Sequence, residues 1–197
     1  LTRAQTPGTP AALNRQGRVL QPATVPCTLP EVFDFVRPGE RIWFDDGKIG
    51  GILRAVGPDQ IRVEITQTRP QGERLLSEKG INLPDSRIRL SALTEKDVND
   101  LRFVAANADI VGFSFVRNVS DLAMLRERLG EFGGENLGVV LKIETRRAFE
   151  MLPDLLLAAM RSHSFGVMIA RGALAVECGY ERMAEVPEEI LWLWEAA

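Results

Sequence analysis

The stretch LGVVLKIETRR, Leu137 to Arg147, decides how the second half of the chain is read. It opens as a covered β-strand does, with Val139, Val140 and Leu141 in an unbroken apolar run. Lys142 and Glu144 then enter the same run. Side chains alternate across a strand, so these two share one side. Val139, Leu141 and Ile143 share the other, facing helices. In a parallel (β/α)8 barrel a polar pair at a strand's end lies at the C-terminal mouth, where such barrels place their chemistry. Taken alone, the pair reads as a structural ion pair. Its neighbours change that reading.

The strands on either side also end in polar groups. DIVGFSFV (Asp109 to Val116) is an apolar run expected to be covered on both faces, and it delivers Ser114 and Arg117. The strand Phe165 to Ala170 runs into Arg171-Gly172. Strand starts at Asp109, Leu137 and Phe165 are evenly spaced, 28 residues apart. Between them lie helical patterns: Ser120 to Phe132, with Leu122, Leu125 and Leu129 on one side, and Arg146 to Met160, which Pro153 should split near Leu152. A last helix is expected over Glu181 to Ala196. This is the βα rhythm of a parallel sheet or a (β/α)8 barrel, of which three strands are visible. Arg and Lys converging with a carboxylate form a kit for a phosphorylated anion and a divalent metal. Gly172 lets backbone N–H groups approach a ligand closely.

Before residue 89 the texture differs. RIWFDD (Arg41 to Asp46), KIGGILRAV (Lys48 to Val56) and QIRVEIT (Gln60 to Thr66) read as short strands. In the last, Ile61, Val63 and Ile65 alternate with Arg62 and Glu64, one face buried and the other wet. The expected organisation is a small all-β module over residues 1–88, then α/β from 89 to 197. The first thirty or so residues are Pro-rich and unpatterned, and no strands are expected there. Thr94 with Asp97 is a weak variant of the capping box opening a helix whose stripe is Leu101, Val104 and Ala105.

Bulk properties narrow the classes. The 197 residues carry a net charge of −3, with 45% hydrophobic and 26% charged residues. The scattered basic residues argue against nucleic acid as a partner. No apolar run approaches the roughly 18 residues of a membrane span, and no signal peptide is visible. Cys27 and Cys178 allow one disulfide, though two free thiols in a reducing cytosol fit better. His163, the one histidine, sits in a polar stretch and reads as surface loop. Trp192 and Trp194 read as core packing. The chain starts with Leu1 rather than Met, consistent with a piece of a longer protein.

Five segments, GERIWFDDGKIGG, SEKGINLPDSRIRLSALTEKDVNDL, DIVGFSFVR, VVLKIET and GVMIARGALAVE, occur in the order found in pyruvate kinase. From residue 39 to about 197 the chain resembles that family. The resemblance implies an all-β lid (residues 1–88) inserted in a (β/α)8 barrel, of which residues 89–197 supply the middle strands. It implies phosphoryl transfer between phosphoenolpyruvate and ADP, giving pyruvate and ATP, in glycolysis. Mg2+ or Mn2+ would be needed, with K+ held by residues outside this chain. A cytoplasmic protein, homo-oligomeric at full length, would follow.

Residue by residue, the resemblance makes Lys142 the group that neutralises the phosphoryl in flight and Glu144 a metal ligand. Gly172 and Ala173 match the loop whose amides hold the substrate carboxylate. Ser114 and Arg117 match neighbouring mouth residues. Asp45, Asp46 and Lys79 match lid positions facing the nucleotide, although DDG alone is a common hairpin corner. One departure bears on function: Ala173 stands where the family's ARGD motif has its Asp, a second metal ligand. An inactive chain is therefore expected, with a non-catalytic relative that binds an anionic metabolite as the alternative. A lyase or aldolase on a related barrel is disfavoured, since those lack DDGKI and KGINLP.

Overall fold

The computed structural model describes residues 1–162 and 164–197. The reading of His163 lies outside the described residues. The chain divides into two compact units, Leu1–Leu90 and Ser91–Ala197.

Unit 1 is all-β. Strands β1 (Ala12–Leu13) and β2 (Val19–Gln21) form a small exposed ribbon in the segment where no strands were expected. Its turn is set by Asn14, whose side-chain oxygen accepts from the N–H groups of Gln16 and Arg18, both at 2.9 Å. The main sheet is antiparallel, in the order β5 (Ile61–Gln67), β4 (Ile49–Val56), β3 (Arg41–Phe44), β6 (Ile81–Asn82). Ile42 and Phe44 turn inward from β3 onto Ile49, Leu53 and Ile61, and a 3-10 turn at Pro30–Asp34 adds Val32 and Phe33. Gly50 lies beneath the Trp43 ring, where a Cβ would come within 2.5 Å of it. The expected alternation on β5 holds only in part: Ile61 is buried, Val63 half-buried and Ile65 50% exposed. Ile65 stands opposite Gly51, which offers no side chain to pack against at a sheet edge.

Unit 2 is α/β. Helix α1 (Glu95–Asn107) starts on a full capping box. Thr94 Oγ1 accepts from Asp97 N at 3.1 Å, and Asp97 Oδ2 accepts from Thr94 N at 2.8 Å. Of its expected stripe Leu101 is buried, while Val104 and Ala105 are half-buried. Strand β7 (Ile110–Phe113), helix α2 (Val119–Glu131), strand β8 (Gly138–Ile143), helices α3 (Arg146–Glu150) and α4 (Leu152–Ala159), and strand β9 (Phe165–Ile169) follow. The three strands pair in parallel in the order β7-β8-β9. Val139, Leu141 and Ile143 pack, with Phe113, into a core that includes Leu122, Leu125, Leu129, Leu152 and Leu155. The helix break falls at Met151, with Pro153 in the first turn of α4, where a missing N–H costs nothing.

Three expectations are corrected. The strand from Asp109 is not covered on both faces: it ends at Phe113, Ile110 is 62% exposed, and Phe115 takes φ 56°. As an edge strand β7 is covered only where it meets helices. The final helix does not begin at Glu181. A helix α5 (Arg171–Cys178) comes first, then a 3-10 turn (Tyr180–Ala184), and α6 (Val186–Ala196) starts with Pro187 in its first turn. Trp194 meets the Phe165 ring edge-on at 5.0 Å, but Trp192 is 64% exposed on the other side of α6. Cys27 and Cys178 are free and buried. Among the described residues no helix is long and apolar enough to cross a membrane.

Leu141 is fully buried on the central strand. Leu141→Ala is expected to destabilise unit 2 by about 2–5 kcal/mol through lost transfer energy and a residual cavity. Urea denaturation checks this; a midpoint within error of wild type would contradict the packing described.

Candidate functional site

Strand alternation builds the first part of the site. Because Leu141 and Ile143 are drawn into the core, Lys142 stands on the opposite face of β8. Its ammonium donates to Ser114 Oγ at 2.8 Å and lies 2.7 Å from Glu144 Oε1. The Glu144 side chain is 9% exposed and that of Lys142 29%. A carboxylate so enclosed needs a partner, because desolvation disfavours its charge, and Lys142 supplies one. Ser114, Lys142 and Glu144 are thus brought together.

Arg117 is held by a residue that sequence reasoning missed. Asp121 is buried, and its Oδ2 accepts from Arg117 N at 2.9 Å and lies 3.5 Å from Arg117 Nε. Asn118 caps α2, its Oδ1 accepting from Asp121 N at 3.1 Å. The Asn-x-x-Asp spacing after a strand was the available signal. Gly172 and Ala173 lie in the first turn of α5, whose leading N–H groups have no intrahelical acceptor. A Cβ on Gly172 would meet nothing within 4 Å, so the glycine is not demanded by packing; it leaves the backbone there uncovered.

In unit 1, Asp45, Asp46 and Gly47 form the β3–β4 turn with φ of 50°, 53° and 84°, a left-handed run that Asp and Gly tolerate better than other residues. Asp45 is buried, with Lys48 Nζ 2.9 Å from one oxygen and Lys79 Nζ 3.2 Å from the other. Asp46 is exposed. Lys48 was not singled out beforehand; its place three residues after Asp45 across a tight turn was the clue. The Lys48 hydrogen bond, aided by Lys79 and opposed by burial, holds the Asp45 carboxyl below its ordinary value.

The donor set in unit 2 does not fit a divalent cation. Mg2+ takes near-octahedral oxygen ligands, usually including one or two carboxylates. Here one Glu144 oxygen is engaged by an ammonium, and Ala173 offers a methyl group. Among the described residues no group of three or more His, Cys, Asp and Glu gathers.

Lys142→Met strands the Glu144 carboxylate and should cost about 1–3 kcal/mol. Adding Glu144→Gln should recover part of that in a double-mutant cycle; no coupling in the cycle would contradict the pairing. Asp45's folded pKa is depressed, so its stabilisation is complete above the unfolded value of 3.8 and is lost as pH falls through the lower folded value. Asp45→Asn should flatten that part of the acid limb in urea midpoints measured against pH.

A family model described as "Pyruvate kinase, barrel domain" matches residues 12–192. Pyruvate kinase PKLR of Rattus norvegicus is 37% identical over 149 residues, 75% of this chain and 24% of that protein. Pyruvate kinase PKLR of Homo sapiens is 37% identical over 161 residues, covering 81% and 26%. A pyruvate kinase of Clostridium acetobutylicum is 33% identical over 162 residues, covering 82% and 32%. The matched region spans between 24% and 32% of these relatives' length. With the model match covering both units, the chain belongs to the pyruvate kinase family.

Proposed function

We propose that this chain supplies part of a phosphoryl-transfer site acting between phosphoenolpyruvate and ADP, giving pyruvate and ATP. Residues 1–88 would be the lid, and residues 89–197 the middle strands of a (β/α)8 barrel. The observation that carries the reading is the Lys142 ammonium, fixed at the end of β8 by Ser114 and Glu144. A compact cation with three donors suits the place where negative charge develops on a transferring phosphoryl group. Gly172 and Ala173 would present backbone N–H groups to the substrate carboxylate, and Ser114 and Arg117, from the other side of β8, would be further mouth residues. Asp45, Asp46 and Lys79 would serve the nucleotide. A homo-oligomeric cytoplasmic protein with a K+ requirement is the corresponding reading of the full-length molecule.

The chain as it stands is proposed to be catalytically inactive. Glu144 would be the carboxylate that this chain's β8 offers to Mg2+ or Mn2+, and it already carries Lys142. Ala173, a methyl group where a second carboxylate is expected, motivates the second reading, a relative that binds an anionic metabolite without turning it over.

A coupled assay with phosphoenolpyruvate, ADP and Mg2+ should show no turnover above background; robust turnover would overturn the inactivity. Titration with Mn2+, read by electron paramagnetic resonance, should show little binding to the wild type and a new site in Ala173→Asp. Calorimetry with phosphoenolpyruvate then separates the readings. Heat that appears only with metal in Ala173→Asp marks a disabled enzyme, and metal-independent heat in the wild type marks an anion-binding relative.

A further inference from the structure

We infer that Arg146 and Glu177 form a positioning clip. It holds the end of β8, where Lys142 and Glu144 stand, in fixed register with α5, whose first turn carries Gly172 and Ala173. The inference rests on the anion-binding reading of that site.

Arg146 is the first residue of α3, two positions beyond Glu144. Glu177 is the penultimate residue of α5. Each side chain meets the other's main chain. Arg146 Nη2 donates to the Glu177 carbonyl oxygen at 2.9 Å, and Glu177 Oε2 accepts from Arg146 N at 3.4 Å. The exchange is physically matched. The Glu177 carbonyl lies in the last turn of α5, where helix carbonyls lack intrahelical partners and favour a cation. The Arg146 N–H lies in the first turn of α3, where a carboxylate is favoured for the converse reason.

Packing does not account for Glu177. It is 8% exposed, beside Leu174, Val176 and Cys178, all buried. An apolar side chain there would avoid the desolvation that a buried carboxylate suffers. Its placement has a consequence for the site. Pairing of β8 with β9 ends near Ile143, whose carbonyl accepts from Ala170 N at 3.2 Å. Beyond that point Thr145 caps only its own helix, with Oγ1 accepting from Ala148 N at 3.1 Å. The Arg146–Glu177 exchange carries the tie onward from β8 to α5. Two groups that must meet one anion tolerate little relative displacement, so the clip sets how Lys142 and the α5 amides converge.

The test is calorimetry with phosphoenolpyruvate on the complete polypeptide, at a temperature where circular dichroism shows every variant folded. Glu177→Ala should weaken binding about tenfold, the scale of one lost hydrogen bond. Glu177→Gln, which keeps an acceptor oxygen, should restore most of it. Cys178→Ala, a truncation on the same buried stretch outside the clip, should lower the melting temperature and leave affinity unchanged. Wild-type affinity in Glu177→Ala, or an equal loss in Cys178→Ala, overturns the positioning role while leaving the functional reading intact. A wild type that binds no phosphoenolpyruvate overturns the anion-binding reading, and the positioning role with it.

Discussion

Unit 2 depends on the burial of one face of β8. Val139, Leu141 and Ile143 are 3%, 0% and 0% exposed against a core built largely from leucines of α2 and α4. A strand cannot shift by one residue without exchanging its faces. Moving Lys142 into the core and Leu141 out of it would forfeit roughly 2 kcal/mol of apolar burial and strand an ammonium away from water. The hydrophobic register therefore places the polar cluster: with the leucine in, the lysine is out, beside Ser114 and Glu144.

Enclosed charges elsewhere follow one rule, that each is met by a partner. Asp45 takes Lys48 and Lys79, Asp121 takes Arg117, Glu144 takes Lys142, and Glu177 takes the N–H of Arg146. Two of these carboxylates also accept a backbone N–H, Asp121 from Arg117 just before α2 and Glu177 from Arg146 at the start of α3. For Glu144 the result is an internally neutralised pair.

Membership of the pyruvate kinase family and the Ala173 departure are best held together. Motif order and the family match give the chain its place, while position 173 carries a methyl group and no side-chain oxygen. The same alanine does no harm to the fold. It sits half-buried in the first turn of α5, where alanine is the best helix former. Stability and chemistry are thus separable at this position.

Local pattern sufficed for much of unit 2. The parallel rhythm, the face on which Lys142 stands, the break before Pro153 and the Thr94 cap all follow from short-range rules of spacing and capping, which act within a few residues. The Leu122, Leu125 and Leu129 stripe belongs with them. Other features waited on tertiary structure. Ile110 was read as covered, but whether a strand is central or at an edge depends on what else pairs with it. The α5 helix after Ile169 was hidden because its eight residues are too few for a clear period and carry a glycine in second place. Trp192 and Trp194 look alike in sequence; only the position of Phe165 decides which one packs. Glu177 became visible as a buried carboxylate once the chain had brought Arg146, 31 residues away in sequence, to it. Sequence determined which residues share a face, because that is geometry of a single element; tertiary structure decided which faces are covered and which charges meet, because those depend on segments distant along the chain.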